Sequence, residues 1–124
     1  MIFIIGGSYQ GKTEFAKQKF NLTDADIFVC SDTHVNLNAK CIAHIERFAL
    51  SCIQNGHEPK AFWEEHLPEL QDKIPIADDI SCGVVPIDAT LRAWREACGR
   101  ANNYLAGESQ KVFRVFCGLG QALK

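Results

Sequence analysis

Gly6-Gly7-Ser8-Tyr9-Gln10-Gly11-Lys12-Thr13 meets the pattern G-x-x-x-x-G-K-[ST] at every fixed position. A chain of this length meets that pattern by chance on the order of a few times in a thousand. Each residue type has a chemical reason. Glycines let the backbone turn its N–H groups inward, and an anion fills the concavity they make. A helix beginning near Gly11 adds the positive end of its dipole. Lys12 reaches the β- and γ-phosphates of a nucleoside triphosphate, and the Thr13 hydroxyl can hold Mg2+. The stretch Gly6 to Thr13 is therefore expected to bind ATP or GTP, with Lys12 stabilising charge on the transferring phosphoryl group. A glycine-rich turn with a solvated lysine is the alternative, but the motif also follows an apolar run and opens a helical pattern.

Other residues of chemical interest lie farther along. Asp32 follows the apolar run "DIFVC", where an acid that orders Mg2+ often stands beside such a loop; in "SDTH" it reads equally as a turn or capping aspartate. Asp79 follows "KIPIAD" and, in a parallel sheet, falls on the same edge as the glycine loop. There it can order Mg2+ or take a proton from an acceptor hydroxyl, or it caps a turn into "SCGVVP". His44 can attack phosphorus if one ring nitrogen stays unprotonated near the α-phosphate; otherwise it is a half-exposed helix histidine between Ala43 and Ile45. His34 reads as a loop histidine and His57 and His66 as surface residues, since "HE" and "EEH" lack metalloprotease spacing. Arg95 and Arg100 either contact phosphate or a neighbouring subunit, or form the solvated face of an amphipathic helix. Trp63 and Trp94 fall on helical apolar stripes and read as core.

These residues need a scaffold, and the apolar pattern supplies one. "IFII" (2–5) reads as a strand buried on both faces, ended by Gly6-Gly7. Residues 12–20 are helical in spacing, with Phe15, Ala16 and Lys19 on one face. Residues 26–30 read as a second strand. Leu37, Cys41, Ile45, Phe48 and Cys52 place a helix over 36–54, capped by Asn55-Gly56. Pro59 starts another helix over 60–70. Residues 73–80 read as a third strand. Pro86 and Asp88 open a long helix to about residue 106, with Leu91, Trp94, Ala97, Cys98, Ala101 and Leu105 as its buried stripe. Residues 111–118 read as a fourth strand. Strands alternating with helices predict an α/β protein with a mostly parallel sheet flanked by helices, as one domain over 1–124.

Bulk properties agree with that class. With 124 residues, 47% apolar and 23% charged, the chain suits one globular core. A net charge of −2, with no basic run longer than a pair, argues against a nucleic-acid partner. The six cysteines form no C-x-x-C and no zinc-ligand spacing, and their apolar neighbours predict buried thiols in a reducing cytoplasm. "MIFII" is too short for a signal peptide, and no apolar run approaches a membrane span.

"DDISCGVVP" (78–86), "WREACGRANNYLA" (94–106) and "VFRVFCGLGQALK" (112–124) follow "IIGGSYQGKT" in that order. The set resembles the adenosylcobinamide kinase / adenosylcobinamide-phosphate guanylyltransferase family of cobalamin synthesis over about half the chain. Asp78 and Asp79 stand for that family's Asn-Glu pair, and Gly83, Val84, Val85 and Pro86 for its G-I-V-P. Arg95, Gly99, Arg100 and Asn102 match its helix motif. The resemblance implies a P-loop NTPase fold of the RecA-like type and a homotrimer. It also implies phosphorylation of the adenosylcobinamide hydroxyl, then guanylyl transfer through a histidine. One register places "NLNAKCIAH" on that histidine's pattern, with His44 at the nucleophile. Gln10 replaces a small serine, Asp79 is shorter than Glu, Ser81 replaces a glycine, and the middle of the chain (31–72) is shortened. The expected activity is thus nucleoside-triphosphate-dependent cobinamide phosphorylation, with guanylyl transfer as an extension. A nucleotide-binding or regulatory module without that activity, and a kinase of another small hydroxyl compound, are the alternatives.

Overall fold

The computed structural model describes residues 1–81 and 87–124. In β1 (Ile2–Gly6) successive side chains enter different interiors. Phe3 packs in a cluster with Ile42, Phe48, Trp63 and Leu105, whereas Ile4 packs in one with Ala16, Ile76 and Phe113. A strand buried on both faces belongs in the middle of a sheet, and β1 is there. After it come α1 (Lys12–Phe20), a single 3₁₀ turn (Asp24–Asp26) and β2 (Ile27–Val29). β3 (Cys41–Ala43), α2 (Ile45–Gln54), α3 (Pro59–Glu65) and α4 (Leu67–Leu70) follow. The chain ends with β4 (Ile74–Asp78), α5 (Ala89–Glu108), β5 (Lys111–Phe116) and β6 (Leu119–Ala122).

The six strands form one sheet in the order β2-β3-β4-β1-β5-β6. All neighbours are parallel except β5 and β6. Read from β5, the parallel strands run 5-1-4-3-2, an order compatible with a RecA-like fold. The protein is therefore α/β, with a mostly parallel sheet flanked by helices. α1 covers one face, where Phe15 and Phe20 pack on Phe113 with ring centroids 5.5 and 6.2 Å apart. α2, α3 and α5 cover the other, built around Phe48, Phe62 and the fully buried Trp63. Among the described residues no helix is long and apolar enough to cross a membrane.

Four details differ from the sequence reading. The helix expected over 36–54 is two elements: Cys41, Ile42 and Ala43 form a strand, and the helix begins at Ile45. An apolar triplet is compatible with either period, and its burial between β2 and β4 decides for the strand. The expected helix over 60–70 breaks at His66, because Pro68 has no N–H for a helical bond to Glu64. β6 is an added antiparallel strand, joined to β5 by a two-residue turn with Cys117 at φ 52° and Gly118 at φ 76°. Both residues left-handed is the turn geometry that matches strand twist. Leu91, expected on the buried stripe of α5, is 40% exposed.

The strand order positions the site. β3, β4 and β1 are neighbours and parallel, so the residues that leave their C-terminal ends share one edge of the sheet. In open α/β sheets ligands bind at that edge.

Candidate functional site

β1 ends at Gly6, where a Cβ would lie 2.4 Å from the Val115 carbonyl oxygen of β5, so only glycine lets the strand pass that close. The chain then bends through Tyr9 at φ 60° and Gly11 at φ 85°, and α1 starts at Lys12. The two left-handed residues let the chain turn sharply between β1 and α1. Tyr9 pays steric strain for that conformation and stands fully exposed at the tip. Gln10 ties the loop down from outside: its side-chain Oε1 accepts the Cys117 N–H at 2.7 Å, and its carbonyl accepts the Gly118 N–H at 2.7 Å. The residue that departs from the resembling family's serine is therefore a fastener between the loop and the β5–β6 turn.

Lys12 is only 7% exposed. Its ammonium donates to the Gly7 carbonyl at 2.7 Å and pairs with Asp78 Oδ1 at 2.6 Å. Asp78 is the last residue of β4, next to β1, and its other oxygen accepts from the Ser8 hydroxyl at 3.2 Å. On the far side, β3 runs into His44, which adopts φ 57° before α2 begins. His44 Nδ1 lies 3.1 Å from Glu46 Oε2 and 3.9 Å from Asp78 Oδ1. Glu46 is buried, and its Oε1 accepts the Asp78 N–H at 2.8 Å. Trp94 of α5 donates its indole N–H to the Glu46 carbonyl at 2.7 Å. The field of Glu46 reaches inward: burial first, then Glu46, push the Cys30 and Cys98 thiols up to about 12.

These groups line a cleft of about 380 Å³ whose walls include Tyr9, Lys12, Thr13, His44, Arg47 and Asp78. A cation on one side, carboxylates behind it and an imidazole opposite can bind an anion, place it against an acceptor and move a proton. His44, Glu46 and Asp78 carry donor atoms within 4.8 Å of one another. His44 Nδ1 is bonded to Glu46, Glu46 to the Asp78 N–H, and the Asp78 carboxylate to Lys12 and Ser8, so these residues make a network. Thr13, half-buried in the cleft wall, offers the hard oxygen that Mg2+ prefers.

The remaining sequence candidates fall elsewhere. Asp32 is exposed, and its carboxylate accepts the His34 N–H at 2.8 Å, which is the turn role. Its strand, β2, is the sheet edge, with β3 and β4 between it and β1. Asp79 accepts from the Ser81 N–H at 2.9 Å and from its hydroxyl, and its own N–H donates to Gly6. With Arg95, Cys98, Gly99 and Asn102 it lines a separate hollow of about 190 Å³. Arg95 donates to the Ser81 carbonyl. Arg100 pairs with Glu58 at 2.9 Å on the α3–α5 surface. Cys82, Gly83, Val84, Val85 and Pro86, including the match to G-I-V-P, lie outside the described residues. His34 packs edge-on to Phe28, His57 is exposed, and His66 binds Glu69.

Sequence reasoning missed Glu46. Its signal was present: within "IERFALSC" it is a carboxylate among positions that bury Ile45, Phe48, Ala49 and Cys52. A buried acid demands a partner.

The fold is α/β, with a cleft at the carboxyl ends of three adjacent parallel strands. No known family model matches the chain, and no curated protein sequence matches it.

Proposed function

We propose that the chain is a P-loop nucleotide-binding protein of the RecA-like type. It holds a nucleoside triphosphate with Mg2+ and transfers the γ-phosphoryl group to a hydroxyl acceptor. One observation carries the reading: the strand–glycine loop–helix unit delivers Lys12 into a cleft, against Asp78 and beside Thr13. The left-handed residues at Tyr9 and Gly11 fit a loop that wraps phosphates with its amides. Lys12, already desolvated, would neutralise β- and γ-phosphate charge, and the Thr13 hydroxyl would hold Mg2+. Mg2+ supplies further charge neutralisation when bound.

The resemblance to cobinamide kinases names adenosylcobinamide as the acceptor, with trimeric assembly and guanylyl transfer in the same proposal. A small hydroxyl compound is the second acceptor class. A corrin ring would have to stay outside a 380 Å³ cleft, with only its aminopropanol arm entering.

The test takes the purified chain with Mg2+ and γ-labelled ATP or GTP, with and without adenosylcobinamide. Triphosphate binding that weakens at least tenfold in Lys12→Ala supports the P-loop assignment, and unchanged binding overturns it. Label on cobinamide supports the named acceptor. Binding without transfer to cobinamide or to a panel of small alcohols makes the chain a nucleotide-binding module.

A further inference from the structure

We infer that His44, oriented by Glu46, is the general base that takes the acceptor's proton during phosphoryl transfer. The inference rests on the triphosphate reading above and adds a residue pair to it.

Three observations converge on the pair. First, Glu46 is a buried carboxylate with both oxygens engaged, one on the Asp78 N–H at 2.8 Å and one on His44 Nδ1 at 3.1 Å. A carboxylate accepts only, so the hydrogen between them sits on Nδ1, and in the neutral ring Nε2 then carries the lone pair. Second, His44 holds a left-handed backbone at φ 57° where β3 meets α2. Such strain persists where the surroundings over-determine it, and it concentrates at functional positions. Third, Asp78 Oδ1 is 2.6 Å from Lys12 Nζ and 3.9 Å from His44 Nδ1, so the imidazole stands beside the lysine that would grip the phosphates. A base held by a buried carboxylate, next to an electrophile clamp, is the arrangement that activates a hydroxyl nucleophile.

The step balances without a further reactant. The acceptor oxygen bonds to the γ-phosphorus as its O–H proton passes to His44 Nε2. The bond from the γ-phosphorus to the β,γ-bridging oxygen breaks, and the nucleoside diphosphate leaves with that electron pair. Imidazolium is then paired with Glu46, with Asp78 also near, and releases its proton to solvent. Glu46 and Asp78 face the ring, Lys12, Glu14 and Arg47 share the cleft lining with it, and Arg47 is 3.9 Å from Glu46 Oε2. Glu46 touches no substrate in this scheme and is a positioning residue.

The test follows the His44 ring by nitrogen NMR in the full chain, with and without a non-hydrolysable ATP or GTP analogue and Mg2+, beside γ-phosphate release to water. The expected result has three parts. The neutral ring is the Nδ1–H tautomer. Bound analogue shifts the Nε2 resonance, because its terminal phosphate comes within reach of that nitrogen. His44→Ala slows γ-phosphate release by about 10²- to 10⁴-fold with analogue affinity within threefold of wild type. Glu46→Gln disturbs the Nδ1–H tautomer and slows release, whereas Glu46→Asp restores part of both, a pattern that loss of packing alone does not produce. Analogue that binds without changing the His44 Nε2 resonance overturns the inference and leaves the nucleotide reading intact. So does an α-labelled nucleotide found covalently on His44, which would make the ring a nucleophile. Failure of the analogue to bind at all sinks the nucleotide reading, and the proton transfer with it.

Discussion

Removing the Gln10 side chain separates the fastening of the loop from its charge. Gln10→Ala deletes the acceptor of the Cys117 N–H at 2.7 Å, while the backbone bond from Gly118 N–H to the residue 10 carbonyl survives. A neutral hydrogen bond is worth about 0.5–1.5 kcal/mol net, and the freed amide sits on an exposed turn where water can reach it. Ordering the half-buried glutamine costs some rotamer freedom, which offsets part of that loss. The net expectation is a destabilisation of up to about 1 kcal/mol, a fall in Tm of up to about 4 °C for a chain of this size. Amide exchange at Cys117 should accelerate while exchange at Gly118 changes little, and triphosphate affinity should fall only a few-fold. Gln10→Glu keeps an acceptor oxygen and so should hold Tm near wild type. It also sets a negative charge beside the phosphate cradle. Gln10 lies outside the residues that line the cleft, so the added charge acts at a distance and through solvent; affinity should fall a few-fold, and salt should recover most of it. Titration calorimetry and amide exchange read both variants. An unchanged Tm and Cys117 exchange in Gln10→Ala would refute the fastener. Wild-type affinity in Gln10→Glu would refute the anion cradle.

Three further outcomes follow from the packing. Burial raises the Cys30, Cys41 and Cys98 thiols to about 12 and Cys52 to about 11 from an ordinary 9.0, so their stabilising effect is complete below pH 9 and is lost as pH rises toward those values. At pH 10 each should cost about 1 kcal/mol, so the protein should be less stable there than at pH 7.5. Urea midpoints at pH 7.5 and pH 10 check this, and exposed Cys117 should alkylate well before these four in native protein. Gly6→Ala should destabilise by about 1–3 kcal/mol or more, because the new methyl meets a strand carbonyl at 2.4 Å, whereas Gly7→Ala meets only Gln10 Cγ at 3.6 Å and should change urea stability little. Arg100→Ala loses a half-exposed pair with Glu58 that raises the guanidinium's pKa chiefly through its hydrogen bond. It should cost about 0.2–1 kcal/mol and leave triphosphate affinity unchanged, as calorimetry and urea titration would show.

The glycine loop was legible because every part of its signal is local: an apolar strand, glycines at fixed spacing and a helical start. The α/β alternation was legible for the same reason, since each long element carries its own period. β3 was not. Three apolar residues satisfy a helix or a strand equally, and only their neighbours β2 and β4 decide between them. That single short strand changes the site. Without it, the run ending at Cys30 stands near the loop and Asp32 falls where a cleft acid is expected. With it, β2 moves to the sheet edge, and His44 and Glu46 emerge beside Asp78 instead. Gln10 was opaque for a related reason: the amides it fastens lie 107 and 108 residues away, on a turn whose Cys-Gly sequence lacks the usual Asn-Gly signal. Residue types at the ends of strands are therefore readable as chemistry only after the strand order is known. In this chain the order hinges on whether Cys41, Ile42 and Ala43 are packed between two other strands. A polar substitution at Ile42, fully buried there, should accordingly disturb His44 and Glu46 before it disturbs the glycine loop.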